Sequence, residues 1–402
     1  DSGILDVDNP KGDLMSNDKF AQILRDQGIE PPLKVSFKTG KTTYAFAKTD
    51  QEFTALLDDE DPMVQALVAA RLGHKSTLEE TRAQRFLNIA DVRWPAASGI
   101  APLAMPFPLK FSGAHTHRLS GDWLLNLQNL GRKSELRRAL EAPYDHLIVS
   151  ADASQIEARV VSWLAGAQKL LTAFRNKLDA YALLASSVYG YPVDKRTHIG
   201  ERFVGKTAVL GLGFGMAAPK FVITCWNQGR AQGLAPELCR ITDDLGVRTV
   251  KTYRTENHQI PTYWKTMDNV IGALSTRASM KVGVLEVDGP SQTIILPNGM
   301  PLFYTNMRKE VVIGFDGKAK NQWVFDYGRE KKYTFGGKMT ENVVQAIARI
   351  ITMNAAVRIR KLVGQYPLGG QIHDQLVYVV PKSEAQAMRD LVVAEMRRTL
   401  DW

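Results

Sequence analysis

The sequence predicts an α+β protein, a sheet core with two helical attachments. Three observations carry that reading. Residues 161–282 hold apolar side chains at mostly helical spacing, punctuated by Gly211, Gly213 and Gly215. Residues 283–335 switch to short alternating strands with turn signals at Asp288-Gly-Pro, Pro297-Asn-Gly and Asp316-Gly. Two more apolar strands, at 146–151 and 369–380, each carry an aspartate at the end or in the middle. Strands and helices mixed in this order give a sheet core with helices packed on it.

In chain order, residues 1–95 read as helical and polar. Residues 20–27 and 63–72 space their apolar side chains as helices do. Between them, the lysine-dotted segment 34–50 reads as a loop or small hairpin. A Pro-rich connector opens 96–160, and the strand at 146–151 closes it. After the strands of 283–335 comes a helix from 340 to about 362. The strand pair at 369–380 follows, interrupted at His373-Asp374, and a last helix starts near Ser383.

Composition bounds the function. The 402 residues leave room for two or three domains of about 150 residues. At 45% hydrophobic and 23% charged, the chain is neither disordered, collagenous nor a coiled coil. No apolar run approaches the roughly 18 residues of a membrane helix. Two cysteines, Cys225 and Cys239, cannot staple a secreted scaffold and suit a reducing cytoplasm. The N-terminus has no basic and apolar leader, so no signal peptide is expected. It does not begin with Met, which suggests part of a longer chain. A net charge of +9 favours a polyanionic partner, nucleic acid before membrane.

Two carboxylates stand out. Asp152 follows an apolar strand that reads as buried, where an unpaired carboxylate is costly. Asp374 lies at a tight turn between two apolar strand halves. On adjacent strand ends, two such hard oxygen ligands could share magnesium ions, which favour carboxylates plus phosphate oxygens. Two ions about 3.5–4 Å apart can activate a hydroxyl and stabilise a leaving oxygen in phosphoryl transfer. The plainer reading is that each Asp caps a turn.

One stretch is basic at helical spacing. Arg202, Lys206, Leu210 and Phe214 fall at i, i+4, i+8 and i+12, one helix face drifting by roughly 40° per step. Two cations followed by two apolar groups suit a triphosphate tail with a base stacked beyond it. The same stretch contains Gly200-Glu-Arg-Phe-Val-Gly205-Lys206-Thr207, a literal match to the phosphate-loop pattern G-x-x-x-x-G-K-[ST]. A P-loop NTPase is therefore a rival reading. Against it, residues 191–198 are not the apolar strand a P-loop needs upstream, and Glu201 to Val204 reads as helix. A basic nucleic-acid-binding module without chemistry is a third reading, which leaves the paired acids without a purpose.

The residues around both acids resemble family A DNA polymerases, the DNA polymerase I type, and more closely their bacteriophage members. DASQIEAR at 152–159 is similar to the family's D-Y-S-Q-I-E-L-R, with Ala153 for Tyr and Ala158 for Leu. IHDQ at 372–375 is similar to V-H-D-E, with Gln375 for the more dispensable Glu. The spacing from Arg202 to Gly215 is similar to R-x-x-x-K-x-x-x-F-x-x-x-Y-G, with Leu210 at the inner aromatic position and Phe214 at the Tyr.

The resemblance implies a DNA-templated DNA polymerase that adds dNTPs to a primer 3′-hydroxyl. Two Mg²⁺ ions would be held by Asp152, Asp374 and the Ala153 carbonyl. Gln155, Glu157, Arg202, Lys206, Leu210 and Phe214 would meet the nucleotide, with Lys206 also protonating the leaving pyrophosphate. Glu157 would exclude a ribose 2′-hydroxyl. That role argues against the single-subunit RNA polymerases, which share the palm. Thr116-His-Arg118-Leu-Ser and Asn126-Leu-Gln128-Asn129 resemble T-G-R-L-S-S and N-L-Q-N, so Arg118, Asn126, Gln128 and Asn129 would face primer-template DNA. Gln345 matches the Gln of N-x-x-x-Q, with Glu341 at the Asn position. His373 would lie against the primer terminus. Lys75-Ser76-Thr77 resembles a K-S-T that holds phosphates near a thumb tip. The implied fold is a right hand: a helical thumb at 1–95, a palm of antiparallel sheet at 96–165 and 283–402, and helical fingers at 166–282. Nothing resembles a 3′–5′ exonuclease, so that portion is expected to be missing or in a separate chain. A phage-encoded enzyme would work in the bacterial host cytoplasm.

Overall fold

The computed structural model describes residues 4–6, 8–35, 41–47, 50–74, 78–92, 104–131, 134–313, 319–364, 366 and 368–402. These fall into two compact units, Asp1–Ala104 with Trp226–Ala231, and Met105–Cys225 with Gln232–Trp402.

The smaller unit is built from short helices around aromatic side chains. Helices Asn17–Asp26 and Pro62–His74 stand where apolar spacing predicts them, and the lysine-dotted segment holds a strand pair, Leu33–Val35 with Thr42–Tyr44. Phe20, Phe46 and Phe53 are buried against one another. The Arg71 guanidinium lies over the Phe20 and Phe46 rings at 4.5 and 4.7 Å. It donates to the Leu14 and Ser16 carbonyls and to Asn17 Oδ1. Those three acceptors and two ring faces let a full cation sit in the core.

The larger unit contains the sheet that carries both aspartates. Strands Gly370–Ile372, Gln375–Pro381 and His146–Asp152 pair antiparallel in that order. Strand side chains alternate between faces, so Leu376, Tyr378 and Val380 share one face with Val149. Helices Gly336–Leu362 and Ala385–Arg397 cover that face, packing Ala355, Ile359, Met388 and Val392 against it. Asp152, Ser150 and Ile148 point to the opposite, open face. The strand is therefore not buried as the apolar run predicts. It is an outer strand of this sheet, Leu147 and Ile148 are nearly half exposed, and Asp152 is exposed.

Other departures have local causes. Residues 280–334 do form strands, but Thr305–Ile313 and Ala319–Tyr327 are nine residues each rather than short. Their shared turn, with Asp316-Gly, lies outside the described residues. The helix placed at 340 starts at Gly336, because Asp268, far along the chain, accepts a hydrogen bond from the Gly336 N–H at 2.6 Å and caps the helix. The helix Ile199–Gly211 ends before Phe214, which lies in the 3₁₀ turn Leu212–Phe214. Gly211, Gly213 and Gly215 weaken helix there, and Gly215 adopts a left-handed φ of 89°. Of the four residues on the face from Arg202 to Phe214, three thus lie on the α-helix and one on a tighter turn.

Candidate active site

The sheet register sets Asp152 beside the second acid. Gln375 pairs with Asp152 across the strands, and the Ala153 N–H donates to the Asp374 carbonyl at 3.1 Å. The turn before Asp374 holds His373 at a left-handed φ of 54°. A carboxylate at such a bend is carried by the backbone on both sides, so its position is tied to the sheet. Burial pushes the Asp374 carboxyl up to about 6, with Glu157 and Asp152 adding to the rise and Arg118 opposing it. Burial, reinforced by the Arg118 cation, holds the His373 imidazole below its usual range.

Arg118 is the cation at the centre of this cluster. Its Nη2 donates to Glu157 Oε1 at 2.5 Å and lies 3.6 Å from Asp374 Oδ2. Glu157 projects from the first turn of the helix Ile156–Ala165. That helix starts beside the strand His146–Asp152 because Gln155 takes a left-handed φ of 56°, turning the chain sharply after Asp152. Arg118 is held by a pinned loop. The Ala114 N–H donates to the Arg118 carbonyl at 3.2 Å. His117 has a φ of 61° and bonds through its ring to Ser112 and to the Pro301 carbonyl. Thr116 donates to Gln345 Oε1 at 3.4 Å.

The predicted amides divide. Gln345 joins the cluster's flank, bridging Thr116 and Glu341, to which its Nε2 donates at 3.1 Å. Gln128 is buried and donates to the Gln371 carbonyl at 3.1 Å, bracing the strand before His373. Asn126 caps its own 3₁₀ turn by accepting from the Gln128 N–H. Asn129 closes that turn and is exposed. Lys75, Ser76 and Thr77 lie outside the described residues.

The basic helix makes its contacts away from the acids. Arg202 Nε donates to Asp179 Oδ2 at 2.6 Å, and its guanidinium lies 5.3 Å from the Tyr181 ring centre. Tyr181 also hydrogen-bonds Gln155, linking this helix to the chain just after Asp152. Lys206 Nζ donates to Gln232 Oε1 at 3.3 Å, and Leu210 is partly exposed. The phosphate-loop match does not form a loop. Gly200 to Thr207 lie inside the helix Ile199–Gly211, and Gly205 is where that helix presses on the Tyr181 carbonyl of the neighbouring helix Ala180–Tyr189. The P-loop reading is set aside on that ground.

Two residues of the site escaped the sequence reading. Arg349 and Gln371 are almost fully buried, and both line a small cavity with Arg118, Gln128, His373 and Asp374. Burial pushes the Arg349 guanidinium down, and its Nε has no hydrogen-bond partner. Arg349 stands four residues after Gln345 on one helix, so the same-face rule could have marked it. Among the described residues, no group of three or more His, Cys, Asp and Glu side chains is arranged to hold a metal. Nor is any helix long and apolar enough to cross a membrane.

One end of an antiparallel sheet thus brings together Asp152, Asp374, Arg118 and Glu157. The chain belongs to DNA polymerase family A, whose family model matches residues 4–269. It is 30% identical over 273 residues to a DNA polymerase of Bacillus phage SP02, covering 63% of this chain and 38% of that protein. It is 23% identical over 371 residues to DNA polymerase I of Treponema pallidum, covering 90% of this chain and 31% of that protein. The chain thus spans about a third of the length of these relatives. Among solved structures, it resembles the polymerase domain of Pol1 from M. smegmatis in complex with DNA primer-template and dNTP. That likeness has a TM-score of 0.63 at 21% identity, over 95% of this chain and 57% of the other, and it shows the shared fold.

Proposed function

We propose that this chain is the polymerising part of a DNA-templated DNA polymerase, extending a primer 3′-hydroxyl with dNTPs. The observation that carries the reading is the juxtaposition of Asp152, Asp374, Arg118 and Glu157 at one end of the sheet, in a chain of this family. Residues 1–95 are read as thumb, 96–165 and 283–402 as palm, and 166–282 as fingers.

The residues fit divalent magnesium. The Glu157 and Asp374 carboxylates share the Arg118 guanidinium, and burial, with repulsion from Glu157 and Asp152 adding to it, drives the Asp374 carboxyl toward its protonated form. A divalent ion would relieve that repulsion, and Mg²⁺ needs only one or two carboxylates when substrate phosphates complete its shell. Asp152, Asp374 and the Ala153 carbonyl would hold two such ions, which when bound supply charge neutralisation and a more acidic primer hydroxyl.

The chain's own groups do the rest. Arg202 and Lys206 hold the triphosphate, exchanging Asp179 and Gln232 for phosphate oxygens, and Lys206 donates a proton to the leaving pyrophosphate. Leu210 and Phe214 offer an apolar surface to the base, and Gln155 sits beside it. Glu157 fills the space a 2′-hydroxyl would need. Arg118, His373 and Gln345 meet the primer end, with Asn126 and Asn129 on the template side and Lys75, Ser76 and Thr77 on the phosphates. Reaction of this kind rests on positioning and electrostatics, which matches a site of acids and cations.

The test is primer extension by the purified chain with magnesium and dNTPs. Asp152→Ala and Asp374→Ala should each lower extension by about three orders of magnitude or more, since each removes a metal ligand. Primer-template affinity should survive, because it comes mainly from basic contacts to phosphate. A variant that keeps a tenth of the wild-type rate would overturn the assignment.

A further inference from the structure

Sugar discrimination by a carboxylate works only if the carboxylate is held still. In the family pattern, the outer position of the basic stretch is a Tyr, whose hydroxyl can donate to a neighbouring acid; here it is Phe214, which has no hydroxyl. Yet Glu157 is not loose. Among the hydrogen bonds described for its side chain, the donor is Arg118, at 2.5 Å. The pair is substantially shielded, with 23% of the arginine side chain and 27% of the glutamate side chain exposed. A charge-assisted bond in such a setting is among the stronger ones.

We propose that Arg118 is the positioning residue for Glu157 in this chain, the arginine supplying the anchor that Phe214 cannot. This rests on the reading of Glu157 as the group that excludes ribonucleotides. The geometry adds a second consequence. The same Nη2 lies 3.6 Å from Asp374 Oδ2, so one guanidinium sets the distance between the sugar-facing acid and the metal-facing acid. Its mount is stiff, with the Arg118 carbonyl bonded to Ala114 and the adjacent His117 ring bonded to Ser112 and Pro301. The backbone that carries Arg118 is thus held independently of Glu157. Lysine carries the charge without the rigid, planar guanidinium that reaches both acids through one nitrogen, so it is an incomplete substitute.

The experiment is single-nucleotide incorporation with dCTP and with CTP on one primed template, reading the ratio of kcat/KM values. The variants are Arg118→Gln, Arg118→Lys, Glu157→Ala and the double variant Arg118→Gln/Phe214→Tyr. Because Arg118 also faces the primer, its variants should be slow with both nucleotides, and the ratio removes that common loss. Arg118→Gln should lower the dCTP preference about tenfold or more, chiefly through a lower KM for CTP, and Arg118→Lys should fall between it and wild type. Adding Phe214→Tyr should restore part of the preference, an outcome that a merely structural arginine would not give. If Glu157→Ala loses the preference and both arginine variants keep it within about twofold, Arg118 does not position Glu157 and this inference fails alone. If Glu157→Ala keeps the preference, the reading of Glu157 as the excluding group fails, and this inference falls with it.

Discussion

Replacing Gly205 with alanine separates two explanations of the stretch Gly200 to Thr207. On a phosphate loop, Gly200 and Gly205 would both be needed for backbone approach to a nucleotide. On the helix seen here, they have different burdens. A Cβ at Gly205 would overlap the Tyr181 carbonyl oxygen and press on Ala185 Cβ at 3.1 Å. At Gly200, the nearest atoms are Leu238 Cδ2 and its carbonyl oxygen at 3.3 Å, a tight but yielding contact. Alanine gains about 0.5–1 kcal/mol over glycine in a helix interior. Overpacking a rigid backbone contact costs about 1–3 kcal/mol. Gly205→Ala should therefore destabilise by about 1–2 kcal/mol, while Gly200→Ala stays within about 0.5 kcal/mol of wild type. Helix Ile199–Gly211 would also be pushed from helix Ala180–Tyr189, moving Arg202 off Asp179 and raising the KM for dNTP. Urea unfolding followed by circular dichroism, with primer extension alongside, reads both effects. If the two substitutions cost equal activity and neither changes the unfolding midpoint, the packing argument is wrong and a phosphate-binding role for the glycines returns.

Two further outcomes are expected. Burial pushes the Cys225 thiol up to about 12, so the folded chain keeps a proton that the unfolded chain releases near pH 9. The stability it confers is present below pH 9 and is lost as pH rises from 9 toward 12; Cys225→Ser should flatten that decline in a pH series of unfolding midpoints, and native Cys225 should resist alkylation at pH 8. A mismatched primer incubated with magnesium and no nucleotides should keep its length, since both acids of the cluster are assigned to synthesis; shortening that survives Asp152→Ala would point to another acid site.

What the sequence made legible is local or spaced by a fixed rule. Asp374 at a turn between apolar halves, the strand pair Leu33–Val35 with Thr42–Tyr44 and the helices of 161–282 all follow from neighbours within a few positions. What it hid depends on residues far apart in the chain. The strand ending at Asp152 is apolar enough to read as buried, but only its partners show that one face is packed and the other open. The helix start at Gly336 is set by an acid 68 residues away, which no capping pattern in the adjacent sequence records. Gln128 illustrates the difference most sharply. Its motif says nothing of the Gln371 carbonyl, 243 residues later, to which its buried amide donates. A buried amide without that bond would be costly, so the contact explains why a polar side chain stands there. Arg118 and Glu157, 39 residues apart, show the converse: each matches a family motif separately, and only the fold shows that one holds the other. The residue types at these positions are therefore readable from the chain, while the contact between them is a property of the folded sheet and its loops.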